Sequence, residues 1–151
     1  MQAGAAATLT GLVFVAVSLN LDRILSFPGL TGRAAESILQ LAQVFFIATL
    51  ALVPRQPTEV LGIEFIGIGV CFWIFQVILQ VRFVRAHPGN PSKWIVYRAT
   101  LSQLGTLPFL VAGIALLAGY CPGVYWLVPG FVFSFASAMM SAWVLLVEIR
   151  R

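Results

Sequence analysis

The sequence predicts an all-α integral membrane bundle of five transmembrane helices, with the N-terminus outside and the C-terminus inside. Three observations predict it. Of 151 residues, 60% are hydrophobic and only 9% are charged, against about 25% charged in an average soluble domain. Mean hydropathy is +0.98. The apolar residues gather into runs of the length, about 20 residues, that crosses the hydrocarbon of a bilayer. The basic residues, finally, fall alternately at one end of these runs and hardly at all at the other. Roughly 40 residues remain outside the runs, fewer than the smallest ordinary soluble domain of about 50, so the whole chain reads as one transmembrane domain.

The first helix is expected over 3–25, followed by SFPGLTG as a turn. Met1 to Leu21 holds no Lys or Arg, and a signal peptide needs a basic leading segment. The second is expected over 33–53, ended by PRQPT. The third covers 59–84 and stops at RAHPGNPSK; Thr58 is placed to cap it, and Glu59 suits its positive N-terminal end. The fourth covers 94–118, stopped by GYCPG, and the fifth 124–149. Every break carries Pro with Gly or two prolines, which punctuate a chain strongly. Breaks this short make consecutive helices antiparallel neighbours. Pro108 and Pro129 are expected to kink the fourth and fifth helices.

Orientation follows from Lys and Arg, which cluster on the cytoplasmic side. Arg23, Arg33, Arg82, Arg85, Lys93, Arg98, Arg150 and Arg151 fall on one side, and Arg55 on the other. Trp94 and Tyr97 on the inner side, with Tyr120, Tyr125 and Trp126 on the outer, fit interfacial aromatic belts. The pI of 9.7 is thus a matter of topology. With no basic patch interleaved with aromatics outside the membrane, no nucleic-acid partner is expected.

The stretch AGAAATLTGLVFVAVSLNLDRIL, followed by PGLTGRAAESIL, LALVPRQ and LGIE, resembles a family of small bacterial multi-pass membrane proteins, some of which carry the label modulator of FtsH protease. The matching part is roughly the first 65 residues; the rest is similar mainly in hydropathy. The resemblance implies a protein of the bacterial cytoplasmic membrane and brings with it no catalytic or binding residue. Members carry a few residues before the AGA motif, so a longer N-terminus is expected.

The residues for chemistry are few. His87 is the one histidine and Asp22 the one aspartate. His87 and two distant cysteines, Cys71 and Cys121, make no metal site, and a Ser–His–Asp set is not credible with His87 beside Pro88. No phosphate-binding loop is present. No enzyme activity, metal or cofactor is expected. Cys71 reads as a small buried hydrophobe, too far in depth from Cys121 for a disulfide.

Polar residues inside apolar helices remain, and these are costly in lipid. Glu36, Gln40 and Gln43 share one helical face by spacing, as do Gln76 and Gln80. With Gln103 they define a candidate polar path in the inner half of the membrane. Ser134, Ser137 and Ser141 add a stripe that continues to Glu148. Asn20, Asp22 and Arg23 end the first helix, and Asp22, Arg23, Arg33 and Glu36 flank one turn as an interfacial charge cluster. Glu64, roughly 8 Å inside the outer end at 1.5 Å per residue, is the candidate for proton or cation handling: protonated, paired with Arg55, or lining water. Gly67 and Gly69 beside it suggest close approach of a helix or ligand. Small pairs four apart, Gly4–Thr8, Ala7–Gly11, Ser134–Ala138 and Ala138–Ala142, suit helix packing within the chain or between chains.

Two functions are consistent with this. One is a non-enzymatic accessory or modulatory subunit packed against another membrane complex. The other is a small homo-oligomeric channel or transporter lined by the glutamine faces. The partners expected are the lipid bilayer and either further copies of the chain or another membrane protein.

Overall fold

The computed structural model describes residues 1–19, 28–86 and 93–149. Over these the chain is all-helical, with five α-helices and no strand: α1 (Gln2–Leu19), α2 (Pro28–Leu50), α3 (Thr58–Ala86), α4 (Lys93–Leu117) and α5 (Leu127–Ile149). A 3-10 turn, Cys121–Trp126, leads into α5. Among the described residues, four helices are long and apolar enough to cross a membrane: α1, α3, and most of α4 and α5. The apolar stretch of α2 is shorter, Ala34–Leu50.

Three boundaries differ from expectation, and each has a backbone cause. α2 begins at Pro28, so PGLTG is helix and not turn. Proline suits a first helical position, where its missing N–H has no intrahelical partner to lose. α5 begins at Leu127, which puts Pro129 in the first turn, where it breaks no hydrogen bond; Pro108 alone lies in a helix interior. At the start of α3 the Leu61 N–H donates to the Pro57 carbonyl at 3.1 Å, so Pro57 takes the cap position and Thr58 the first turn. Glu59 in that turn and Arg85 in the last complement the helix dipole.

α4 ends in a Schellman motif. Gly119 has φ +76°, its N–H donates to Leu116 O at 3.1 Å, and the Tyr120 N–H donates to Ala115 O at 2.9 Å. The left-handed conformation suits glycine, and the two bonds satisfy carbonyls that the helix end leaves open.

α2, α3, α4 and α5 form a ring in which each packs on its chain or ring neighbour, with α2 and α4 on the diagonal; α1 lies outside, chiefly against α2. Antiparallel order gives the bundle two ends. The upper end holds Met1, residues 51–57 and 118–126; the lower end holds Leu19, Pro28, Ala86, Lys93 and Ile149. Near the upper end Val44, Ile47, Phe65, Phe109, Ala112, Leu116 and Leu127 pack with Ala6 into an apolar layer. Val13 joins Leu41 and Ala138 lower down.

Glycines bring the helices together. A Cβ on Gly62 would stand 2.9 Å from the Gly113 carbonyl oxygen, and one on Gly113 would stand 2.9 Å from that of Gly62. α3 and α4 therefore touch backbone to backbone, which only small residues permit. Gly130 of α5 likewise receives the Phe109 ring, whose nearest carbon lies 2.7 Å from an added Cβ. Phe109 in turn meets Phe131 at 5.4 Å between ring centres.

Outward faces are apolar: Phe14, Trp73, Phe75, Ile114 and Trp143 are all exposed. Such a continuous apolar exterior suits lipid, not water. The exposed hydroxyls of Thr8 and Thr49 are closed onto their own helix, Thr8 donating to Gly4 O at 2.9 Å and Thr49 to Phe45 O at 2.7 Å, an arrangement that suits an apolar surrounding. Cys71 is a free thiol on this exposed face, a correction to its expected burial; the apolar run gave no sign of which face it occupies.

Candidate functional site

The site is the polar interior of the four-helix ring. The i, i+4, i+7 spacing on α2 aims Glu36, Gln40 and Gln43 inward, and they are 4%, 2% and 0% exposed. From α3 comes Gln76, 1% exposed. α4 supplies Ser102 and Thr106, four apart and so one above the other, and α5 supplies Ser134. All are buried within a single chain.

Thr106 sits at the centre. Its Oγ1 lies 3.3 Å from Gln43 Oε1, 3.1 Å from Gln76 Oε1 and 3.2 Å from the Ser102 carbonyl. Ser102 Oγ donates to Gln76 Oε1 at 2.6 Å. α2, α3 and α4 are thereby joined through one hydroxyl. Ser134 Oγ donates to the Gly105 carbonyl at 3.1 Å and ties in α5. Gly105 leaves room for Gln40, whose Nε2 would stand 2.5 Å from a Cβ there. The oxygens of Gln43 and Gln76 thus face hydroxyls, whereas the buried amide nitrogens of Gln40, Gln43, Gln76 and Gln80 have no hydrogen-bond partner in the protein.

The polar groups lie below the apolar layer. One turn further down stand Glu36 on α2 and Gln80 on α3, the latter half-buried. Arg82 and Arg85 are exposed beyond them.

Of the residues singled out by sequence, Gln40, Gln43 and Gln76 converge. Gln103 does not join them: it lies on the flank of α4, where its Oε1 accepts from the Trp73 indole N–H at 2.6 Å on an exposed surface. One residue of offset on a helix turns a side chain by about 100°, enough to give Ser102 and not Gln103 to the interior. Ser102 and Thr106 were not foreseen; the available signal was their spacing of four inside an apolar run. Ser134 and Ser137 are buried and Ser141 is half-buried. Asn20, Asp22, Arg23 and His87 lie outside the described residues, as do the side chains of Arg33, Arg98, Cys121 and Glu148.

Glu64 is separate, near the upper end. Its Oε2 accepts from Gln56 Nε2 at 2.6 Å, so the partner is the residue after Arg55. Of the two glycines beyond it, Gly69 packs on Leu110, and Gly67 faces open space. On α1, Gly4, Ala7, Thr8 and Gly11 are all exposed, with nothing within 4 Å of a Cβ placed on Gly4 or Gly11. The α5 pairs are spent inside the bundle, where Ser134 and Ala138 are buried.

Chemically the centre of the interior holds amides and hydroxyls, with the Glu36 carboxyl one turn below. These hydrogen-bond but supply neither a nucleophile with its base nor a ligand set for a metal. Among the described residues no three His, Cys, Asp or Glu side chains come close enough to share a metal ion. The chain matches no family model, and no similar curated protein or solved structure was found.

Proposed function

We propose that this is a five-span protein of the bacterial cytoplasmic membrane, N-terminus outside and C-terminus inside, that acts without chemistry of its own as an accessory or modulatory subunit of another membrane complex. One observation carries the reading. The strongly polar faces of α2 and α3 are turned into the chain's own bundle, while α1 holds an open face of small residues toward lipid. A face of Gly, Ala and Thr lets a second transmembrane helix approach closely, and van der Waals contact of that kind drives association in bilayers. The resemblance to a family with members labelled modulator of FtsH protease points the same way. A homo-oligomeric pore would need the glutamine faces on an outer surface, to line a symmetry axis. They are spent on Thr106 inside one chain, which argues against that rival.

Native mass spectrometry of the protein, extracted gently from its own membrane, tests the reading. A fixed ratio with a different, larger membrane protein is expected. Replacing Gly4 and Gly11 together by Leu should abolish that complex without lowering the unfolding midpoint, because both positions face open space. A defined homo-oligomer, or a lone monomer, would overturn it.

A further inference from the structure

The accessory role leaves the interior glutamines unexplained, since apolar side chains would pack a bundle as well. Gln40, Gln43 and Gln76 are at least nine-tenths buried, and the amide nitrogen of each lacks an acceptor. Each such nitrogen carries two donors. Leaving them bare is expensive inside any protein and more so in a membrane, where no solvent stands outside to share them. Turning an amide over does not help. Its nitrogen would meet a hydroxyl, but its oxygen would then stand alone. Nor can Thr106 serve everything around it, having one proton for three neighbouring acceptors. As placed, Gln40, Gln43 and Gln76 need hydrogen-bonding groups that the protein does not supply.

We infer that the glutamine core between α2, α3 and α4 is a binding site for a small uncharged molecule that both accepts and donates hydrogen bonds, either water or a neutral hydroxylated solute. Charge excludes the alternatives. The side chains at the centre, Gln40, Gln43, Gln76, Ser102, Thr106 and Ser134, are all neutral. An anion would meet the buried Glu36 one turn away, and a cation would find no charged partner among these six. The approach is from the lower end. Gln80 and Glu36 continue the polar trail that way, whereas Ile47, Phe65, Phe109 and Leu116 close the other direction. A buried water needs two to four polar partners, and this cluster offers them.

The test is solid-state NMR on the chain in lipid bilayers, labelled with nitrogen-15 at glutamine and phenylalanine. Proton polarisation is passed to the side-chain amides from water, and in a second sample from the carbon-bound protons of glycerol in heavy water. The amides are assigned with Gln40→Met, Gln43→Met and Gln76→Met, or by sequential correlation where a variant does not fold. The readout itself is the wild-type chain. Transfer from water at the rate of the exposed Gln2 amide would establish water as the occupant. Transfer from glycerol protons would establish a neutral solute. If all three amides are as slow as the backbone amide of the buried Phe109 in both samples, the core is dry and the inference falls.

Discussion

Thr106 is the residue on which the interior turns. Replacing it by Val keeps the shape but removes the hydroxyl shared by Gln43 and Gln76. Hydrogen bonds between membrane helices average about 0.6 kcal/mol, and abandoned buried acceptors cost more, so a loss of about 1 kcal/mol is expected. Thermal unfolding in detergent would measure it. Thr8→Val, whose hydroxyl bonds only its own helix, should leave the midpoint unchanged. At this scale the sequence was partly legible. Glutamine in an apolar run is conspicuous, and its helical spacing gave the right face of α2. Threonine and serine are not conspicuous, because in most membrane helices they bond backward to their own carbonyls. That habit hid Thr106, while the more polar Gln103 drew attention to the wrong face of α4.

The contact of α3 with α4 depends on two glycines. Gly62→Ala would drive a methyl to 2.9 Å from the Gly113 carbonyl, which belongs to backbone and cannot swing aside. The helices must separate, and overpacking of this kind costs about 1–3 kcal/mol. Gly67→Ala, one helical face away in open space, should be neutral or slightly stabilising by helix propensity. Comparing the two unfolding midpoints isolates the contact from the propensity. Helix number and rough position were legible from hydropathy and punctuation. The ends were not, because Pro28 was read as part of a turn and Pro129 as a kink, whereas both stand in a first turn. The pairing of Gly62 with Gly113 was illegible too, since a glycine does not say which partner it faces.

For the whole molecule, the alternation of Lys and Arg gives a definite expectation of sidedness. A reporter fused after Arg151 should be active in the cytoplasm, and one fused before Met1 on the far side. Activity of the first reporter outside would overturn either the orientation or α2 as a crossing. Hydropathy could separate lipid-dwelling from soluble chains, but not which polar face meets which, because that depends on the ring order of the helices. The apolar layer of Ile47, Phe65, Phe109 and Leu116 has a consequence of its own. A cell membrane stores work as a voltage, and any continuous wet thread through a protein drains it. Here the polar core ends against fully buried aromatic and aliphatic side chains, so among the described residues no such thread is continuous, and lipid vesicles carrying the protein are expected to hold an imposed voltage.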